Sequence, residues 1–158
     1  MRSFLLKIAV MFIAVTLAVL VCVRIAFAEE FAIRIIEQNG AAVSKPIPDV
    51  TVFVPHSGGG EKAFADQQFL AISPVLKDIR YFDALQLNGS SVTDASIGQL
   101  KKLVPLRSLD VSYTGISANG LLQLRSLPSL RCITTGAAQL SCDDLNRLKA
   151  AMPGVTFR

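Results

Sequence analysis

A spacing of 24 residues recurs through the second half of the chain and constrains its fold more than any other feature. The trio Leu85-Gln86-Leu87 returns as Leu109-Asp110-Val111 and again as Ile133-Thr134-Thr135. Further apolar positions keep the same step: Phe82, Leu106 and Leu130; Val92, Ile116 and Leu140; Ile97, Leu121 and Leu145; Leu100, Leu124 and Leu148. A fixed period of this size is typical of arrays in which one supersecondary unit stacks on the next.

Each unit has the pattern of a strand, a turn and a short helix. In the first trio a polar residue separates two apolar ones, which predicts a short strand with one buried face. The later spacing of Ile97, Leu100 and Leu103 suits a short α or 3₁₀ helix. The residues at the expected N-cap positions of the helices are Thr93, Ser117 and Ser141. One unit cannot bury its apolar face alone, so neighbouring units must stack with their strands parallel.

These motifs resemble the leucine-rich repeat family in its short bacterial form, whose units read L-x-x-L-x-L-x-x-T-x-(I/V)-(T/S)-D-x-x-(L/I)-x-x-L. Residues 85–100 and 109–124 follow this pattern nearly position by position. The unit at Ile133 departs from it, because Thr135 replaces an apolar core residue and Ala138 the usual Thr or Asn. The resemblance implies an α/β fold, a short leucine-rich repeat solenoid with one parallel strand and one short helix per unit.

Less regular segments flank the clear units. Residues 64–72 align with 92–100 as a degenerate unit, whose strand is predicted at 50–54. Extra residues at 75–79 add one predicted helical turn, and Val155 with Phe157 supply the strand of a closing half-repeat.

Before the first unit, 29–38 is helix-like, Gly40 is a helix stop and 41–44 predicts a short strand. We therefore expect three segments: a signal peptide or uncleaved anchor at 1–28, an N-terminal cap at 29–49, and a leucine-rich repeat domain at 50–158.

The N-terminal segment has the pattern of a secretory signal peptide. Arg2 and Lys7 precede the uncharged run 8–23, and Ala26-Phe27-Ala28 stands before an acidic pair. Cleavage is predicted between Ala28 and Glu29. The alternative is an uncleaved membrane anchor, because the stretch is close to the length that spans a bilayer. Both alternatives predict export, to the periplasm or the medium, or with the domain held outside the cytoplasm by the inner membrane.

The basic character of the chain comes mainly from this segment. The formal net charge is +4, with 16 Lys and Arg against 12 Asp and Glu. Three of those bases, and none of the acids, lie before Glu29. The remainder is nearly neutral and has no basic stripe interleaved with aromatic residues, which argues against a nucleic-acid partner.

The sequence contains no catalytic or metal-binding constellation. His56 is the single histidine, and it precedes the glycines at 58–60. This loop has two interpretations: a flexible insertion, or the active-site loop of a hydrolase. No G-x-S-x-G elbow or phosphate loop accompanies it, so we predict no catalytic residue, cofactor or metal. Cys132 and Cys142 lie half a unit apart, too far for a disulfide.

The strand residues that alternate with the core are the candidate binding surface. The predicted members are Phe53, Gln86, Asn88, Ser108, Asp110, Ser112 and Thr134. Small hydrogen-bonding side chains of this kind suit many modest contacts with a protein or peptide, although an ordinary solvated face has the same composition. We expect a monomeric, non-enzymatic binding module or scaffold in the cell envelope. The alternatives are a hydrolase that uses the His56 loop and a structural domain tethered to the membrane through 1–28.

Overall fold

The computed structural model describes residues 2–45, 50–54, 64–136 and 140–158. This part of the chain forms a mixed α/β fold with a six-stranded, mostly parallel sheet and five α-helices. The strands lie in chain order from β1 to β6. They are β1 (Ala42–Ser44), β2 (Val50–Phe53), β3 (Phe82–Gln86), β4 (Ser108–Asp110), β5 (Cys132–Thr134) and β6 (Thr156–Phe157).

The helices lie between the strands, apart from the long first one. They are α1 (Arg2–Gln38), α2 (Asp66–Ile72), α3 (Ile97–Leu100), α4 (Ala118–Gln123) and α5 (Cys142–Ala151). Short 3₁₀ segments extend α3 at Asp94–Ser96 and α4 at Leu124–Ser126, and a separate one follows α2 at Leu76–Asp78. The predicted strands at 41–44 and 50–54, and the added helical turn at 75–79, are confirmed in position.

Residues one sequence repeat apart pair with each other across the central strands. Leu85 lies opposite Leu109, and Leu109 lies opposite Ile133. Each of these side chains is at most 1% exposed. The helical positions Ile97 and Leu121 are buried on the other side of the same core. Leu145, which the 24-residue step aligns with them, is only half-buried, and Leu148 of the same helix is fully buried. The alternation of apolar and polar residues in the trio therefore sets one face of the sheet against the helices.

The three N-caps predicted from the spacing are confirmed. The hydroxyl of Thr93 accepts a hydrogen bond from the backbone N–H of Ala95 (3.3 Å). Ser117 does the same for Gly120 (3.1 Å). At α5, the Ser141 hydroxyl accepts from the N–H of Asp144 (3.1 Å), satisfying one of the donors that a helix start leaves unpaired.

Helix α1 is longer than the helix expected at 29–38. It runs without a break through Ala28 and Glu29, so the predicted cleavage position lies inside a continuous helix. Its last turns pack on the domain, where Ala32 and Ile36 are fully buried. The side chains of residues 10–28 are exposed. The span from 10 to 38 is long and apolar enough to cross a membrane.

The chain reverses direction after α1. Gly40 has a φ of +84°, a conformation that residues with a side chain rarely adopt. This turn brings β1 back along β2 in the antiparallel sense, with Ala42 opposite Phe53. The sheet is therefore parallel only from β2 onward.

Candidate functional site

The pairing register aligns four of the candidate residues in one row across the sheet. Phe53 of β2 lies opposite Gln86 of β3, which lies opposite Asp110 of β4. Asp110 in turn lies opposite Thr134 of β5. Because neighbouring strands are about 4.8 Å apart, the row is about 14 Å long. Its members are half-buried except for Gln86, which is exposed.

A second row runs parallel to the first, nearer the start of the strands. Ser108 lies in this row, with Ala84 on one side and Cys132 on the other. All three side chains are half-buried. The sheet face therefore presents small and polar groups beside the single carboxylate of Asp110.

The two remaining candidates lie in the turns after the strands. Asn88 follows β3 and is half-buried. Ser112 follows β4 and is only 9% exposed, so its side chain offers little surface to a partner. Strict alternation predicts that both face outward, whereas the chain has already left the strand geometry at these positions.

Asp110 has a structural role on this face. Its Oδ1 accepts a hydrogen bond from the backbone N–H of Ser112 (2.9 Å), which shapes the turn that ends β4. Its backbone carbonyl accepts from the N–H of Leu87 in the neighbouring unit (2.8 Å). The carboxylate keeps further acceptor capacity, because a carboxylate can accept about four hydrogen bonds.

Two other aspartates link neighbouring units and were not anticipated from the sequence. Asp66 accepts from the N–H of Thr93 at Oδ1 (3.0 Å) and from the Thr93 hydroxyl at Oδ2 (2.7 Å). Asp94 repeats this one unit later, accepting from the N–H of Ser117 (2.8 Å) and from its hydroxyl (2.6 Å). The sequence signal is an Asp directly after the N-cap position in consecutive units, which a search for apolar periodicity overlooks.

The environment of Asp66 favours its charged form. Burial raises the pKa of this carboxyl group, but hydrogen bonds from the Ser96 hydroxyl and from Thr93 outweigh burial. The pKa therefore lies below its ordinary value of 3.8. Asp66 is an ionised acceptor that joins two units, and its oxygens are already occupied.

The candidate hydrolase loop lies outside the described residues, since His56 and the glycines at 58–60 fall in the 55–63 gap. Cys132 lies on β5 and Cys142 at the start of α5, and their thiols are free. Within the described ranges, no three His, Cys, Asp or Glu side chains are grouped so that they could hold a metal ion.

Comparison with known proteins adds no relative. The chain matches no protein-family model and no curated protein.

Proposed function

We propose that this chain is an exported leucine-rich repeat protein that binds a protein or peptide in the cell envelope and catalyses no reaction. The observation that carries the proposal is the row formed by Phe53, Gln86, Asp110 and Thr134. A row about 14 Å long, on a sheet whose opposite face is the core, suits an extended segment of about four residues.

The repeat interpretation is supported by the agreement between sequence period and register. Positions 24 residues apart in the sequence are neighbours across the sheet, as stacked units require. The polar links from Asp66 to Thr93 and from Asp94 to Ser117 repeat with the units.

The chemistry of the face favours modest, adaptable contacts. Gln86 and Thr134 can each donate and accept hydrogen bonds, Asp110 supplies a charge, and Phe53 supplies apolar area at one end. A partner with a basic or amide group opposite Asp110 and an apolar group opposite Phe53 is complementary to this row.

Affinity capture with a paired control tests the proposal. The double variant Gln86→Arg with Asp110→Arg places two large cations on the row and should lose the partner that the wild type captures from envelope fractions. The control, Gln67→Arg with Asp143→Arg, makes the same charge change at two exposed positions on α2 and α5 and should retain it.

A second face variant avoids the turn bond of Asp110. Gln86→Arg with Thr134→Arg should also lose the partner while the fold, followed by circular dichroism, is unchanged. Retention of every partner by both face variants would contradict recognition through the row.

A membrane-tethered structural domain is the second candidate. It is favoured by the continuity of α1 through Ala28 and by the burial of Ala32 and Ile36 in the domain. Determination of the N-terminus of the protein purified from cells tests the tether, and the face variants test the binding role. A chain that begins at Glu29 has no tether.

A further inference from the structure

The two edges of the sheet differ in charge. We call the return edge the last turns of helices α2 to α5 together with the segments that lead from them to the start of the next strand. Exposed basic residues recur along it in every unit: Lys77, Arg80, Lys101, Lys102, Arg107, Arg125, Arg131 and Lys149. None of these eight side chains forms a salt bridge in the described part of the chain, where the two salt bridges involve Lys45 and Arg147.

Few carboxylates offset this charge locally. Asp78 and Asp83 are the described acids within the return edge, and Glu29, paired with Lys45, and the exposed Glu30 lie beside it on α1. The opposite edge, where strands end and helices begin, carries Asp66, Asp94, Asp110, Asp143 and Asp144 together with Arg147 and Arg158. The near-neutral charge of the domain therefore conceals a separation of basic and acidic groups between two edges.

The direction of α1 places its apolar N-terminal segment on the same side of the domain as the return edge. Glu29 of α1 forms a salt bridge with Lys45 (2.9 Å), and Lys45 follows β1. Because β1 is antiparallel to β2, it ends beside the start of β2. That start belongs to the return edge, since the Val50 N–H donates to the carbonyl of Tyr81 (3.1 Å). Residues 10–28 therefore extend beyond the return edge, for about 28 Å.

Exposed apolar and aromatic side chains stand among the basic ones. Tyr81 is 68% exposed and Val104 is 55% exposed, and both lie on the return edge. Lys101 and Arg125, from neighbouring units, line one shallow depression of about 340 Å³ together with Leu122. Basic residues mixed with tyrosine and aliphatic groups are typical of surfaces that meet the interfacial region of a bilayer.

We propose that the return edge binds anionic phospholipid headgroups, so that the domain lies against the membrane that α1 enters. This proposal requires that α1 is retained, but it does not depend on protein binding by the sheet face. Anionic lipid attracts basic residues only within about one Debye length of the surface. The apolar segment of α1 holds the return edge at that distance. In this orientation the acidic edge points away from the membrane, and the row of Phe53, Gln86 and Asp110 remains accessible to a partner.

Fluorescence quenching in vesicles tests the contact. The full chain, with Cys22, Cys132 and Cys142 replaced by Ala, carries one fluorophore at Ser126→Cys on the return edge or at Ala95→Cys on the opposite edge. It is reconstituted in phosphatidylcholine with a headgroup quencher, with or without phosphatidylglycerol. In the anionic vesicles, quenching at Ser126 should exceed quenching at Ala95 by at least about twofold, and high salt should abolish the excess.

Matched charge variants separate the basic edge from total charge. Lys101→Gln, Lys102→Gln and Arg125→Gln together should reduce quenching at Ser126 to its value in neutral vesicles. The control, Ser91→Glu, Ala95→Glu and Asn119→Glu, removes the same net charge elsewhere and should leave the quenching at Ser126 unchanged. The face variant Gln86→Arg with Asp110→Arg should also leave it unchanged, so this proposal and the proposed function fail separately.

Four results would overturn the proposal. The first is equal quenching at Ser126 in neutral and anionic vesicles. The second is full quenching in the triple glutamine variant. The third is a cellular protein that begins at Glu29. The fourth is loss of an acidic protein partner by the triple variant without a change in quenching, which would assign the edge to a protein instead.

Discussion

Two junctions between neighbouring units differ in how they are held together. At the first, Asp94 reaches across to both the N–H and the hydroxyl of Ser117. At the second, Ala118 stands where Asp94 stood one repeat earlier, and the hydroxyl of Ser141 instead donates to Asp144 of its own unit (2.8 Å). The central units thus share polar links in addition to their apolar core. The last unit depends on its apolar core and on surface contacts.

The surface contact at the last junction is of a weaker kind. Arg147 of α5 donates to Asn119 of α4 (3.1 Å) and forms a salt bridge with Asp144 (2.9 Å). The Arg147 side chain is 50% exposed. Water screens such pairs, and holding a long side chain in one geometry costs entropy. An apolar period can therefore remain regular in the sequence while the polar contacts between neighbouring units change.

A substitution in the apolar core, which is common to both junctions, should lower the free energy of unfolding more than any other change. Leu109 is fully buried between β3 and β5, so Leu109→Ala should lower the free energy of unfolding by about 2–5 kcal/mol. Urea unfolding followed by circular dichroism measures this. Lys102→Ala, at an exposed position of the return edge, is the control and should cost less than about 0.5 kcal/mol. Equal costs would contradict the register.

Removal of the polar link at the first junction should cause the second largest loss in the free energy of unfolding. Asp94→Ala removes two hydrogen bonds to Ser117 and should cost about 1–2 kcal/mol. The control, Asp143→Ala, removes an exposed charge from the first turn of α5 and should cost less than about 1 kcal/mol. If Asp94→Ala is no more costly than the control, the polar link does not stabilise the junction.

Acid should weaken the corresponding link at Asp66, with a smaller loss of stability than Asp94→Ala causes. Protonation removes the charge of the carboxylate but leaves it able to accept hydrogen bonds. The pKa of Asp66 is lowered in the folded state. Its contribution is therefore complete above pH 3.8, the ordinary value, and is lost as the pH falls through the folded-state pKa. The free energy of unfolding of wild type and of Asp66→Asn should be measured from neutral pH to below pH 3.8. The difference between the two proteins should become smaller as the pH falls. A constant difference would contradict the assignment.

Removal of the surface contact at the last junction should cause the smallest loss in the free energy of unfolding. Arg147→Ala should cost about 0.5 kcal/mol or less, because the contact is exposed. Raising the salt concentration should reduce even that difference. A cost equal to that of Asp94→Ala would mean that the two junctions are held equally by polar contacts.

The fold was predictable where the apolar period determines the structure. The strand at Leu109, the N-caps at Ser117 and Ser141 and the closing strand near Phe157 all follow from residues close in the sequence. A period of apolar side chains reports burial, and burial fixes both the register and the face. The repeat resemblance and the binding role remain proposals that the experiments above address.

The candidate face was predictable only in part. Alternation identified the row through Gln86 and Asp110, but not the low exposure of Ser112 or its backbone bond to Asp110. Both features depend on the position at which the chain leaves the strand, and the conformation of the turn sets that position. The links from Asp66 and Asp94 were also missed, because hydrogen bonds between units join residues 23–30 positions apart and leave no apolar signal.

The spacing of apolar residues is enough to predict most of the core side chains and the 24-residue step between the central strands, since both depend on a local pattern. The three-dimensional structure was needed to show that α1 continues through Ala28, that residues 10–28 extend beyond the return edge, and that scattered bases lie along that edge. Those bases are far apart in the chain but lie along one edge because strands β2 to β6 are parallel, so the chain returns to the same edge before each next strand. The parallel order of the strands is a property of the whole fold, and no local sequence pattern records it.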